Sequence, residues 1–490
     1  VDEQDDERRM VLADPDSLLG MLQRGRGKGC LMALERPPQE VWSLLFECVT
    51  NHPRSNELFA PDEDYYASLI LRTGMDLEPL LSFVRQNDEL GDTDDVDVDL
   101  ALSTLRSLAR RGSRRALEFL REYLQHGSAF WRITRIVEDL AQMEALEGVD
   151  EILCQRVSSD PDLHEQLQDE IEDDWARYCE ADEETRSMLR LVLPMCEPWK
   201  SLCERNTELA QFLLRNGLPY DPPPPVHRVT DVDVAGFSVA ELLSSVDEAS
   251  FHPNRRVLVG KVSVDDEDRL LQSLSSDDEY EVMLALCGLG ELGTPRTFEA
   301  MRAYIEASED APRRVRGRAF DAIQQMPGWL TLETARQWFL RDEWHLYRPG
   351  AGILEHHATS DDIPLLIQAL RTPEIVRDED YRLAAVLGAL TRFRGLGRIP
   401  ELEKVFCQTE NSIRRGDAAE AMAATSSEHF AAEYAYECLW DCDWSAFKAG
   451  CTMVGLSTPG AIERLREIVA DPHESDDRRE IASKRLKAAG

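Results

Sequence analysis

Glu281–Ile305 reads EVMLALCGLGELGTPRTFEAMRAYI. Its first half is crowded with apolar and small residues, as a helix buried on several sides must be. Gly293, Thr294 and Pro295 then supply a helix terminator, an N-cap and a residue suited to a first helical position. Phe298, Met301 and Ile305 return at helical spacing, so a second, one-sided helix follows. Arg382–Phe406, RLAAVLGALTRFRGLGRIPELEKVF, repeats this grammar about a hundred residues on.

The pattern recurs between and beyond these runs. Phe298, Leu332, Ile363, Ile399, Phe430 and Ile462 open successive second segments, at separations of 34, 31, 36, 31 and 32 residues. Ala285, Ala319, Gly350, Ala384 and Ala449 mark the preceding segments, where small side chains let helices approach closely. Near-constant periods of this length predict stacked helix pairs. Leu77, Leu117 and Val149 carry a weaker version at separations of 40 and 32. The longer interval holds the acidic run Asp92–Asp99, read as an inserted loop.

The two quoted runs resemble HEAT-like repeats of the phycobilin-lyase type: an Ala-x-x-Ala-Leu-Gly helix, a turn and a second helix. The resemblance covers Asp265–Gly490 well and Tyr65–Val157 loosely. It implies an all-α fold, an α-solenoid of antiparallel helix pairs. It is nearly silent on function, because such repeats serve in scaffolds, lyases, hydroxylases and DNA-repair proteins.

The expected organisation is an N-terminal helical lobe over 1–157 with an acidic loop at 91–99, and an irregular helical segment over 158–218. A Pro-rich junction over 219–264 and a C-terminal repeat array over 265–490 follow. The junction contains DPPPPV at Asp221–Val226, which cannot be helical, and RVLVGKVSV at Arg256–Val264, whose alternation predicts a short strand or extended strap. Ile481–Ala488 reads as a half-repeat cap.

The chain carries 55 basic and 93 acidic residues among its 490, a formal charge of −38, and seven of the basic residues are Lys. Such a field repels polyanions, so nucleic-acid binding is disfavoured except at a local Arg patch. No apolar run is long enough to span a membrane, and Val1–Met10 has no apolar core of a signal peptide. Eleven Cys without framework spacing point to a reducing cytoplasm, bacterial in composition.

Glu355, His356 and His357, with Glu428 and His429, set imidazole beside carboxylate. Imidazole with carboxylate suits non-haem iron, and the HEAT-repeat hydroxylases hold two irons with several His-Glu motifs. Here the order is Glu-His, and Glu428 aligns in repeat phase with Asp362 rather than Glu355, so the ligands do not converge. Cys438 and Cys442, an i, i+4 pair, place both thiols on one helix face, with no second ligand pair for zinc. Gly25–Gly29, GRGKG, lacks the grammar of a phosphate-cradling loop and reads as a flexible connector.

The remaining signal is Arg with Trp. Arg313, Arg314, Arg316 and Arg318 begin a first helix, and Trp329, Trp338 and Trp344 follow closely, the composition of interface anchors. A second cluster is Arg392, Arg394 and Arg398. The expected function is a non-enzymatic scaffold or adaptor that binds another protein, whose basic segments the acidic field would attract, with no cofactor, metal or membrane. A HEAT-scaffold enzyme or chaperone-lyase is the second expectation, and nucleic-acid binding the third.

Overall fold

The computed structural model describes residues 12–51, 63–88, 96–128, 130–161, 164–169, 171, 198–206, 209–211, 213, 231–248, 250–307, 309, 311–373, 375 and 381–488. Every regular element among them is a helix, so the chain is all-α there. None of these helices is long and apolar enough to cross a membrane. The proline run Asp221–Val226 and Asp92–Asp95 lie outside the described residues.

The opening quotation folds as read. Glu279–Leu292 buries Val282 to Gly290 almost without interruption and ends at Gly293 in the left-handed region, φ 53°. The Thr294 hydroxyl accepts the Thr297 N–H at 3.1 Å, and Pro295 opens Pro295–Glu306. This caps one donor of the new helix and loses none, since the first N–H groups have no intrahelical partner.

The chain divides into two compact units. One comprises Val1–Val226, Glu437–Asp443 and Ile462–Gly490; the other comprises His227–Tyr436 and Trp444–Ala461. In the second unit the first helices of each pair are Glu279–Leu292, Arg313–Gln325, Trp344–His357, Tyr381–Thr391, Ser412–Thr425 and Trp444–Met453. Each packs on the next. The intervening second helices, among them Pro295–Glu306, Gly328–Phe339 and Pro400–Gln408, pack on the first helix before or after them.

Glycines set the closeness of this stacking. A Cβ on Gly290 would lie 2.8 Å from the Ala322 carbonyl oxygen, and one on Gly350 2.8 Å from the Phe339 nitrogen. Between these helices sit Leu284, Met301, Ile323, Ile353, Leu387, Phe406 and Phe430, all fully buried.

In the first unit Val96–Arg110 is central, packing against Pro38–Thr50, Glu63–Thr73, Glu78–Asn87, Arg114–His126 and Phe130–Gln142. Val96–Asp99 therefore belong to a helix, not to the expected acidic loop. Asp99 is held there by Arg132 at 2.6 Å, and Arg132 also binds Asp88 at 2.7 Å.

Two further expectations are corrected. Arg256–Val259 end the helix Phe251–Val259 and are no strand. Its buried positions Phe251, Asn254 and Leu258 follow helical rather than alternating periodicity, and Asn254 donates to the Leu242 carbonyl at 3.0 Å. These residues belong to the second unit, so the expected junction is divided near Val226.

The array expected over 265–490 likewise does not stay in one unit. Arg26 pairs with Glu437 at 3.0 Å, the guanidiniums of Arg464 and Arg72 lie 4.0 and 5.0 Å from the centre of the Trp440 ring, and Arg111 pairs with Asp471 at 3.1 Å. The helix Asp476–Lys487 also belongs to the first unit. Gly25–Gly29 is also no flexible connector. Gly27 and Gly29 lie in the helix Gly27–Leu34, and a Cβ on Gly27 would sit 1.8 Å from the Glu437 carbonyl oxygen. The glycine serves close packing, not mobility.

Candidate interaction surface

The second unit carries a line of Arg and aromatic side chains along the opening turns of its consecutive first helices. Arg314 donates to the Tyr280 hydroxyl at 3.4 Å. On the same helix Arg316 stands 4.3 Å from the centre of the Trp344 ring of the next first helix, which Phe320 meets edge-on at 5.8 Å. The following two helices exchange partners: Arg348 lies 5.1 Å over Tyr381, and Arg382 lies 4.1 Å over Tyr347. Arg414 continues the line and pairs with Asp417 at 2.7 Å. Each of these cation–ring contacts is worth about 0.5–1 kcal/mol at an exposed site.

The expected residues divide between this line and the core. Arg313 and Arg314 are exposed, and Arg316 and Arg318 are half-exposed. Arg313 makes no ion pair among the described residues, while Arg314 reaches Glu248 at 3.7 Å and Arg318 reaches Asp321 at 3.3 Å. Trp344, 37% exposed, belongs to the line. Trp338 is 4% exposed, with its Nε1 donating to Glu306 at 3.4 Å, so it supports the core and offers no surface. Trp329 is 75% exposed but begins Gly328–Phe339, the helix that follows the C-terminal end of Arg313–Gln325. The structure therefore brings Trp344 to the arginines, and neither Trp329 nor Trp338 joins the stack.

Tyr347, Arg348, Tyr381, Arg382 and Arg414 were not singled out by the sequence reading, yet a signal was present. Tyr280, Arg314, Arg348, Arg382 and Arg414 follow one another at 34, 34, 34 and 32 residues, the repeat period itself. The period was read on apolar positions only.

Beside the line runs a polar strip laid over small residues. A Cβ on Gly352 would strike the Gln324 amide at 2.3 Å, and one on Gly388 would strike the Glu355 carboxylate at 2.8 Å. Burial raises the pKa of Glu355 above the usual carboxylate range, and burial does the same for Asp417 against the opposing effect of Arg414.

The Glu/His turns are otherwise engaged. His357 Nε2 lies 3.0 Å from the Gln324 carbonyl, and His429 Nε2 lies 2.8 Å from Glu403, which Arg398 also grips at 2.6 and 2.8 Å. His356 and Glu428 are exposed. Among the described residues no three His, Cys, Asp or Glu side chains come together as a metal site. Cys438 ends the short helix Ala435–Cys438 and Cys442 lies beyond it, so the two do not share a helix face. In the second Arg cluster, Arg392 donates to the Glu355 carbonyl at 3.1 Å, and Arg394 is exposed.

No known protein family matches the chain, and no curated protein matches it. Among solved structures the chain aligns with the crystal structure of an engineered protein. The two are 14% identical over 96% of this chain and 97% of that one, with a TM-score of 0.22.

Proposed function

We propose that the second unit is a HEAT-like α-solenoid acting as a cytoplasmic, non-enzymatic scaffold that binds a partner protein. The observation that carries this reading is the Arg–aromatic line. It extends over consecutive stacked helices as a surface. Arg and aromatic side chains held rigid before a partner arrives lose little entropy on binding, which is the behaviour of interface anchors. The regular packing of each first helix on the next supports the solenoid reading, because stacked repeats present long surfaces of this kind. Buried Cys30, Cys48 and Cys287, which form no disulfide, are in keeping with a reducing compartment.

The test is site-specific photo-crosslinking in cells of the source organism, with the crosslinker at Trp344 or Arg348 and a control at exposed Glu299 on a second helix. One defined protein should be captured from the first two positions and not from the third. Equal capture from all three positions, or none together with turnover of a small molecule by the purified protein, overturns the reading.

A further inference from the structure

One turn of the second unit is longer than its counterparts. Between Tyr381–Thr391 and Pro400–Gln408 it runs over 392–399, where the corresponding turns of other pairs are 293–294, 326–327 and 426. The Gly395 and Gly397 N–H groups donate to the Ala424 and Thr425 carbonyls at 3.3 and 2.9 Å, which pins the turn to the end of the next first helix. In repeat arrays, enlarged turns are where binding residues collect.

This turn and its neighbours form a shallow cleft with about 190 Å³ of space, part of it open solvent and too small for a cofactor. Buried Ile399, Met422 and Phe430 give it an apolar lining. Arg398 Nε and Nη2 donate to Glu403 at 2.6 and 2.8 Å, and His429 Nε2 lies 2.8 Å from the same carboxylate. The hydrogen bonds from Arg398 hold the Glu403 carboxyl below its ordinary range, so it is ionised and can only accept. Neutral His429 therefore carries its proton on Nε2 and keeps a lone pair on Nδ1. That nitrogen makes no hydrogen bond among the described residues and is not buried, so it meets solvent. The Tyr434 ring stands edge-on to the imidazole at 5.9 Å. Arg398 is exposed, and its Nη1 donates to no described residue.

The cleft thus offers an acceptor at His429 and a donor at Arg398, while its two opposite charges are already paired. An incoming ammonium would meet Arg398 and an incoming carboxylate would meet Glu403, each giving up hydration for an ion already neutralised. We propose that this cleft binds an uncharged carboxamide group, its NH2 donating to His429 Nδ1 and its carbonyl accepting from Arg398 Nη1. A carboxamide carries donors and acceptor in one plane, whereas a hydroxyl must serve both partners from a single oxygen. Asn and Gln side chains and small free amides share this group. None of these residues belongs to the Arg–aromatic line, so the site stands or falls apart from the scaffold reading.

Nitrogen-15 NMR of the full chain, labelled at histidine, tests this at pH 8, above the ordinary titration range of imidazole. His429, assigned from the resonance that disappears in His429→Phe, should show the Nε2–H tautomer. Propanamide should shift its Nδ1 resonance saturably, with a midpoint of roughly 1–100 mM for so small a ligand. Propanoate and propylammonium should bind about fivefold more weakly or worse, the worth of one net hydrogen bond. Arg398→Met should weaken propanamide about threefold or more and leave the tautomer unchanged. Saturation transfer to propanamide should vanish in His429→Phe, with the fold of both variants checked by circular dichroism. Acetyl-glutamine methylamide separates the two sources: tighter binding than propanamide assigns the site to a Gln side chain of a partner, and weaker binding assigns it to a small free amide. An Nδ1–H tautomer, no saturable shift across that range, a charged probe binding as well as propanamide, or unchanged saturation transfer in folded His429→Phe overturns the proposal.

Discussion

Gly290 and Gly317 lie on neighbouring first helices and should answer the same substitution with opposite signs. A Cβ on Gly290 would stand 2.8 Å from the Ala322 carbonyl oxygen, 2.9 Å from its Cβ and 3.0 Å from its Cα. Ordinary contact needs about 3.5–4.0 Å, so the helices Glu279–Leu292 and Arg313–Gln325 would have to separate by several tenths of an ångström. Two of the three obstructing atoms are backbone, which no rotamer change can move aside. Overpacking of this kind costs about 1–3 kcal/mol, and the better helix propensity of Ala returns about 1. Gly290→Ala should therefore cost the second unit about 0–2 kcal/mol net. A Cβ on Gly317 meets nothing within 4 Å, so Gly317→Ala should gain the propensity term alone, about 1 kcal/mol. For a unit of this size, 1 kcal/mol is about 2–4 °C in melting temperature. Thermal unfolding followed by circular dichroism, with hydrogen exchange on the two helices, reads both. If Gly290→Ala stabilises as much as Gly317→Ala, the close stacking described above is wrong.

Three other outcomes follow from the same contacts. Trp338→Ala should cost about 3–5 kcal/mol in chemical denaturation, whereas Trp329→Ala at its exposed site should stay within about 0.5 kcal/mol; similar losses would contradict their assigned burial. Glu437→Ala leaves Arg26 charged and buried without this carboxylate and should destabilise the first unit by about 3–5 kcal/mol, with much of the loss recovered in Arg26→Met/Glu437→Leu. The hydrogen bonds from Arg341 lower the Glu343 carboxyl pKa from 4.5 to about 2. The folded form is the stronger acid, so whatever stability the pair gives is present above the unfolded value and lost as pH falls through about 2. Carboxyl carbon NMR should show Glu343 still ionised at pH 3, and a midpoint near 4.5 would remove the pair.

Helix pairs were legible in the sequence because their signals are local. Pro295, Pro400 and the repeated apolar openings Phe298, Ile399 and Phe430 all fall at or beside the starts of second helices. What was illegible was longer in range. The acidic residues of Val96–Asp99 look like solvated loop until Arg132, 33 residues later, is seen to hold Asp99. GRGKG looks flexible until Glu437, more than four hundred residues away, is found against Gly27. Arg26 likewise reads as a surface charge, and only the fold shows it 2% exposed. At the candidate surface Arg313–Arg318 and Trp344 were visible as a cluster. Arg348 and Arg382 were not, because single Arg residues carry meaning only once their repeat register is counted.

The way the first unit is assembled also governs how the chain can be made. Its last pieces, Glu437–Asp443 and Ile462–Gly490, bring the buried residues Leu465, Ile468 and Ala482 from the far end of the sequence. A ribosome adding about 5–20 residues per second must therefore work for on the order of 10–50 s after Val226 before this unit has all its parts. During that interval the second unit has most of its sequence, while Arg26, Arg72 and Arg111 of the first unit still lack Glu437, Glu467 and Asp471. The order of completion is the reverse of the order of synthesis, and the buried charge of Arg26 is neutralised only once Glu437 has been made.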